Sequence, residues 1–211
     1  MIPIPERGIY LASRSPRRRE LLSQIGVRYH LLLFRERPRG TSGESDLDEA
    51  ALAGETPAAY VERMARAKAE AGWRRMLQRN LPPAPILAAD TTVALDGRLF
   101  GKPKDRAQAA EMLAALSGQR HEVLTAVALK NYEQVEFALS SSEVQLKKLS
   151  PDEIAQYAAS GEGDDKAGAY AIQGRAGRFV VELRGSYSGV MGLPLYETSL
   201  LLDKLRGRNT H

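Results

Sequence analysis

Apolar residues recur along this chain in two rhythms: short unbroken runs that suit buried strands, and three-to-four-residue repeats that suit one face of a helix. The run 8–12, Gly-Ile-Tyr-Leu-Ala, predicts a short buried strand. A helix should follow. Ser15 is a favoured N-cap, Pro16 fits the first helical position, Leu21, Leu22 and Ile25 make the inner stripe, and Gly26 stops it. The stretch 35–54, rich in charge, Gly and Ser, reads as a long loop. A second helix is predicted from Thr56-Pro57 towards Arg79, with Tyr60, Met64, Lys68 and Ala71 along one side. Pro82, Pro83 and Pro85 break the chain before a strand over 86–95, which Asp96-Gly97 closes with a turn signal.

Beyond that turn, Asp105 can cap a helix carrying Ala109, Met112, Leu113 and Leu116 and ending at Gly118. Strands are predicted over 123–129 and 135–149. The capping box Ser150-Pro151-Asp152-Glu153 starts a short helix to about Ser160. A strand over 179–183 and a helix from Pro194 through Leu205 complete the pattern. Interleaved strands and helices predict an α/β fold with a mixed sheet, formed as one domain over residues 1–211.

Composition narrows the class. With 43% apolar and 27% charged residues, the chain has the balance of a soluble globular protein. No apolar run approaches the length that crosses a bilayer, and the first residues carry no long apolar stretch, so a cytoplasmic protein without membrane association is expected. The absence of cysteine excludes disulfides, a thiolate nucleophile and zinc–cysteine sites. His30, His121 and His211 are scattered without metal-ligand spacing. The net charge of +4 fits either an arginine-rich solvated surface or an anionic partner.

The position of the arginines separates those readings. Ser13-Arg14-Ser15-Pro16-Arg17-Arg18 joins the first strand to the first helix. A helix N-terminus offers unpaired N–H groups and partial positive charge, so Arg17 and Arg18 oppose the dipole unless an anion offsets them. A bound polyphosphate supplies that anion, with Ser13 and Ser15 donating and the guanidiniums gripping oxygens; an exposed arginine cluster is the alternative. Asp90, in Ala89-Asp90-Thr91-Thr92, sits late in an otherwise apolar strand. Burying it unpaired would cost several kcal/mol, so it should meet a metal, a cation or water in a cleft, or else be tied to a neighbouring turn or arginine. Lys68 lies on the apolar stripe of the second helix, where a snorkelling stem is the usual outcome, and Lys102 follows the Asp90 strand in Gly101-Lys102-Pro103. In 165–174, Asp-Lys-Ala-Gly-Ala-Tyr-Ala-Ile-Gln-Gly, small residues permit close backbone approach and Gln173 could read a base edge; a tight sheet-edge loop explains the segment equally. Neither a Walker-type phosphate loop nor a serine-hydrolase nucleophile elbow is present.

Taken in order, 11–22, 65–69, 89–93, 101–103, 116–118, 165–174 and 192–194 resemble the Maf family of nucleotide pyrophosphatases over nearly the whole chain. The resemblance implies an elongated, two-lobed, Maf/ITPase-like α/β fold, a central mixed sheet flanked by helices, and a cleft between the lobes. It implies hydrolysis of a nucleoside triphosphate to the monophosphate and pyrophosphate with Mg²⁺ or Mn²⁺, a homodimer, and roles in clearing non-canonical nucleotides and in cell-division arrest. The form of 165–174 resembles the branch that prefers dTTP and UTP. By the same resemblance Asp90 matches the proton acceptor, and Arg17, Thr91 and Gln173 match positions tied to substrate choice. Ser13, Arg18 and Lys166 join the substrate contacts, Lys68 and Lys102 assist catalysis, and Asp90 with Glu49 holds the metal. The family's acidic pair is assigned to Asp48 and Glu49 across an insertion, with Glu36 as the rival. A nucleotide sensor without hydrolysis and a basic nucleic-acid-binding module are the competing classes; only 6% aromatic residues and no recognition motif argue against the second.

Overall fold

The computed structural model describes residues 8–33, 49–132 and 134–208. Asp48 and Glu36 lie outside them.

Among the described residues seven strands and six helices are interleaved: β1 (Ile9–Leu11), α1 (Pro16–Gln24), β2 (Tyr29–Leu31), α2 (Pro57–Gln78), β3 (Ile86–Leu95), β4 (Arg98–Phe100), α3 (Arg106–Leu116), β5 (Arg120–Lys130), β6 (Val135–Leu146), α4 (Pro151–Ser160), β7 (Val180–Arg184), α5 (Tyr187–Val190) and α6 (Leu195–Arg208). Short 3-10 turns at Ala167–Ala169 and Arg175–Phe179 lie between α4 and β7. One mixed sheet runs in the order β2-β1-β3-β5-β6-β7, with β4 folded back on β3. β1 pairs in parallel with β2 and β3, whereas β3, β5, β6 and β7 pair antiparallel in succession.

Local chemistry explains most boundaries. The side chains of Ser15, Thr56, Asp105 and Ser150 each accept a backbone N–H of their helix's first turn, and Ser150 with Glu153 completes the reciprocal box. Asp96 and Gly97 both take left-handed backbone and form the tight turn between β3 and β4. Three outcomes differ from the pattern reading. β5 begins earlier, at Arg120, and β6 ends at Leu146 rather than continuing to Leu149, just past the register shift at Gln145 and Leu146 in its pairing with β7. The last helix starts at Leu195 and continues to Arg208. β4 and α5 are too short to produce a hydrophobic period.

Alternation on β3 and β5 gives the sheet two apolar faces. Ile86, Ala88, Ala94, Leu124, Ala126 and Ala128 pack with Val61, Ala65 and Ala69 of α2. Leu87, Ala89, Val127 and Leu129 pack with Leu21 and Leu22 of α1 and Leu201 and Leu202 of α6. A third cluster fills the far end of the long strands, where Val93, Val123 and Val144 meet Leu113 and Leu116 of α3, Tyr157 of α4, and Phe179.

The pairing of β3 positions the site. β1 accompanies it only as far as Leu11 opposite Leu87, where the Ala12 N–H donates to the Leu87 carbonyl (2.8 Å) before the chain turns into α1. β4 joins that flank only from Val93. Between them, on the flank away from β5, residues 88–92 have no strand neighbour among the described residues. This gap lies beyond the carboxyl end of a parallel strand, the place where open α/β sheets receive ligands.

Candidate functional site

Asp90 occupies that gap. It shares a face of β3 with Ala88, pointing to α2, and α2 carries Lys68 there. The Lys68 Nζ lies 2.5 Å from Asp90 Oδ1 and 3.0 Å from Glu49 Oε1, so one ammonium joins two carboxylates that are far apart in sequence. The Lys68 and Asp90 side chains are 19% and 13% exposed, whereas Glu49 is 55% exposed at the rim. Burial alone would lower the Lys68 pKa, but Asp90 and Glu49 outweigh it and hold the ammonium above the ordinary lysine value. Burial likewise raises Glu49, yet Lys68 and, more remotely, Lys102 bring it below the usual carboxylate value. The Tyr60 hydroxyl donates to the Glu49 carbonyl (3.1 Å) and so ties the rim segment to α2. Thus the lysine stem does not snorkel to water; its ammonium is paired with Asp90 and Glu49 beside β3.

The neighbouring strand residue, Thr91, faces the other side, towards α1. Arg18 reaches it with Nη2 (3.2 Å), reaches Ser13 Oγ with Nη1 (3.2 Å), and donates from Nε to the Gly192 carbonyl (2.6 Å). Arg18 is therefore half-buried and largely engaged by protein acceptors. It still has further N–H groups, but it is no free bidentate grip for an anion, which qualifies the expectation from its helix position. Burial lowers its pKa and the nearby Asp90 charge opposes that. Ser13 Oγ also accepts the Ser15 N–H (3.2 Å), so its lone pairs are used and its own proton remains to donate to an anionic oxygen.

Thr125, on β5 directly across from Thr91, extends the network. The two hydroxyls are 2.9 Å apart, and Thr125 donates to the Gly189 carbonyl (2.8 Å). That bond uses the Thr125 proton, so Thr91 must donate to Thr125 while accepting from Arg18. The segment 189–192 is thereby tied to β3, β5 and α1 at once.

The other predicted residues form a looser second group. Arg17, half-buried on the first turn of α1, is close enough for its charge to act on Asp165 and Tyr157. Lys166 contacts Asp165 through its ammonium; burial raises the Asp165 pKa, but Lys166 and Arg17 bring it below its ordinary value. Lys102 is exposed, and the preceding Gly101 carbonyl accepts the Gly168 N–H (3.2 Å), which joins 101–103 to 165–174. Gln173 is exposed in a turn held on both sides. The Tyr157 hydroxyl accepts the Ala171 N–H (3.1 Å) and donates to Glu162 Oε1 (3.0 Å), which also accepts the Arg175 N–H (2.9 Å). Thr125, Tyr157 and Glu162 were not singled out from sequence. Tyr157 is legible only as an apolar position of α4, and the Thr125 and Tyr157 hydroxyls reach residues 64 and 14 positions away.

Fold and site define an α/β protein that gathers Arg18 and the hydroxyls of Ser13 and Thr91 on one side of β3, and Lys68 with the Asp90 and Glu49 carboxylates on the other. The chain belongs to the Maf-like protein family, whose model matches residues 8–205. Among its relatives, the dTTP/UTP pyrophosphatase of Nitrosomonas europaea is 57% identical over 196 residues, covering 93% of both chains. That of Aromatoleum aromaticum is 55% identical over 203 residues, covering 96% of this chain and 97% of its own. The Staphylococcus aureus Ham1 protein is a structural neighbour at a TM-score of 0.43 and 15% identity, covering 95% of this chain and 98% of that one. No helix among the described residues is long and apolar enough to cross a membrane.

Proposed function

We propose that the protein hydrolyses nucleoside triphosphates, dTTP and UTP foremost, to the nucleoside monophosphate and pyrophosphate. The observation that carries this reading is the placement of Asp90, a carboxylate paired with Lys68 in the open gap of β3, next to the Ser13–Arg18 loop. The pyrimidine preference is taken from the relatives' activity and from the 165–174 segment.

In this mechanism a water oxygen attacks the α-phosphorus and the bond to the α,β-bridging oxygen breaks. The water's proton passes to the Asp90 carboxylate, and pyrophosphate departs with the bridging electron pair. Ser13 donates to a phosphate oxygen. Arg17, Lys102 and Lys166 supply positive charge along the chain of phosphates, joined by the free N–H groups of Arg18. Lys68 holds Asp90 and then neutralises the charge that develops on the leaving group. Thr91 and Gln173 contribute to the choice of nucleotide.

Glu49 and Asp90 are the residues that would hold Mg²⁺ or Mn²⁺. Their convergence on one ammonium supports this reading, and among the described residues no group of three or more acidic or histidine ligands exists. Such a sparse set suits Mg²⁺, which usually takes one or two carboxylates and completes its shell with phosphate oxygens and water. Bound there, the ion would supply charge neutralisation and acidify water. The reading places the enzyme in the cytoplasm, as a homodimer.

The test is pyrophosphate release across a panel of nucleoside and deoxynucleoside triphosphates, with and without divalent metal. Asp90→Asn should lower turnover by about a hundredfold or more while circular dichroism stays unchanged. Near-full activity in that variant removes Asp90 from the reaction. Nucleotide binding without turnover in the native protein would instead support a sensor.

A further inference from the structure

The cleft contains a cation of its own. Lys68 Nζ stands between Asp90 Oδ1 and Glu49 Oε1 at 2.5 and 3.0 Å, where a metal ion shared by these carboxylates would have to stand. The surrounding charges are already net positive: two carboxylates stand against Lys68, the Arg18 guanidinium that interacts with Asp90, and Lys102, whose charge acts on Glu49. A dication added to this arrangement meets an ammonium at contact distance and no uncompensated negative charge. Like charges that close, in a partly desolvated cleft, repel strongly.

We infer that Lys68 is the resident counter-ion of the Glu49–Asp90 pair, and that a divalent metal enters only with, or after, a polyphosphate that draws the ammonium away. The inference rests on the hydrolytic reading for the identity of that polyphosphate. The long lysine stem permits the exchange: the ammonium turns from the carboxylates to phosphate oxygens, and the vacated carboxylates accept the metal. The order of binding is thereby set by one side chain, and free metal leaves the cleft unoccupied.

Direct titration of Mn²⁺ by electron paramagnetic resonance, on the full chain without nucleotide, tests this. Native protein should bind Mn²⁺ weakly. Lys68→Met and Lys68→Gln should bind it at least about tenfold more tightly, since removing one adjacent positive charge is worth that much in affinity at contact distance. The glutamine keeps an amide donor for Asp90 and serves if the methionine variant fails to fold. Adding Glu49→Gln to Lys68→Gln should return Mn²⁺ affinity to the native level. Equal or weaker Mn²⁺ binding in the folded Lys68 variants overturns the inference, as does a gain that survives loss of Glu49. Pyrophosphate release from UTP by native protein, measured in parallel, separates the two claims. Its absence defeats the hydrolytic reading, whereas the Mn²⁺ comparison alone decides the role of Lys68 as counter-ion.

Discussion

Arg18 illustrates how much one side chain can connect. Its guanidinium joins the β1–α1 loop at Ser13, strand β3 at Thr91 and the 189–192 segment at the Gly192 carbonyl. Only a planar fork of donors spans three acceptors in this way. Arg18→Ala should destabilise the fold by roughly 2–4 kcal/mol in urea unfolding, from lost charge-assisted bonds and acceptors left without a donor. Arg18→Lys should recover only part of that. An alanine variant within about 0.5 kcal/mol of the native protein would show that the three segments do not depend on the arginine. The amino-acid pattern marked Arg18 as anomalous, because a cation in the first turn opposes its helix dipole, and the mismatch suggested a ligand. The structure adds protein acceptors to that account. Thr125 was invisible for the opposite reason: a threonine inside a strand breaks no local rule.

At the scale of elements, the approach of α2 to β3 decides whether Lys68 can meet Asp90. Gly72 packs against Ile86 of β3, and a Cβ built there would stand 2.6 Å from Ile86 Cγ2. Gly72→Ala must therefore push the helix outward or move a β-branched side chain that is itself fully buried. The expected cost is about 1–3 kcal/mol, with a larger fractional loss of turnover than of nucleotide affinity, because the Lys68–Asp90 contact lies one helical turn away. Denaturant unfolding and a comparison of kcat with KM check both parts; unchanged stability and kcat would show that α2 has slack at this crossing. Most helix starts were legible because capping is local: Ser15, Thr56, Asp105 and Ser150 each satisfy a first-turn N–H within a few residues. β4 and α5 were not legible. Three- and four-residue elements exist because longer neighbours hold them, as β3 holds β4 by the Val93–Phe100 ladder and β5 holds α5 through Thr125.

Across the whole molecule, the far end of the sheet carries a titration that should govern acid stability. His121 is 2% exposed, with Nε2 at 2.8 Å from the Tyr170 hydroxyl and its ring edge-on to that tyrosine. Burial lowers its pKa from 6.5 to about 4. The unfolded chain therefore binds a proton below pH 6.5 that the folded chain refuses until near pH 4, so stability is complete above that window and falls as pH drops through it. The loss should approach roughly 1.4 kcal/mol per pH unit, reaching about 3 kcal/mol in total. Glu49 and Glu55, both lowered from 4.5, begin to contribute only further down, which leaves the upper part of the window to His121. Chemical denaturation from about pH 7 to pH 5 should show that slope in the native protein and lose it in His121→Phe; the same slope in both would assign it to other groups.

What the sequence determined by itself was everything that depends on neighbours along the chain: the caps, the turn at Asp96-Gly97, the strand and helix periods, and the identity of the unusual charges at Arg17, Arg18, Lys68 and Asp90. Ordered motifs carried the family as well. Tertiary structure alone decided which charges meet. Lys68 is 22 positions from Asp90, and Arg18 is 174 from the carbonyl it holds. No period or spacing encodes such pairings. They follow from where β1 leaves β3 and where α2 crosses it, because a buried charge is stable only where the folded chain brings it an opposite one.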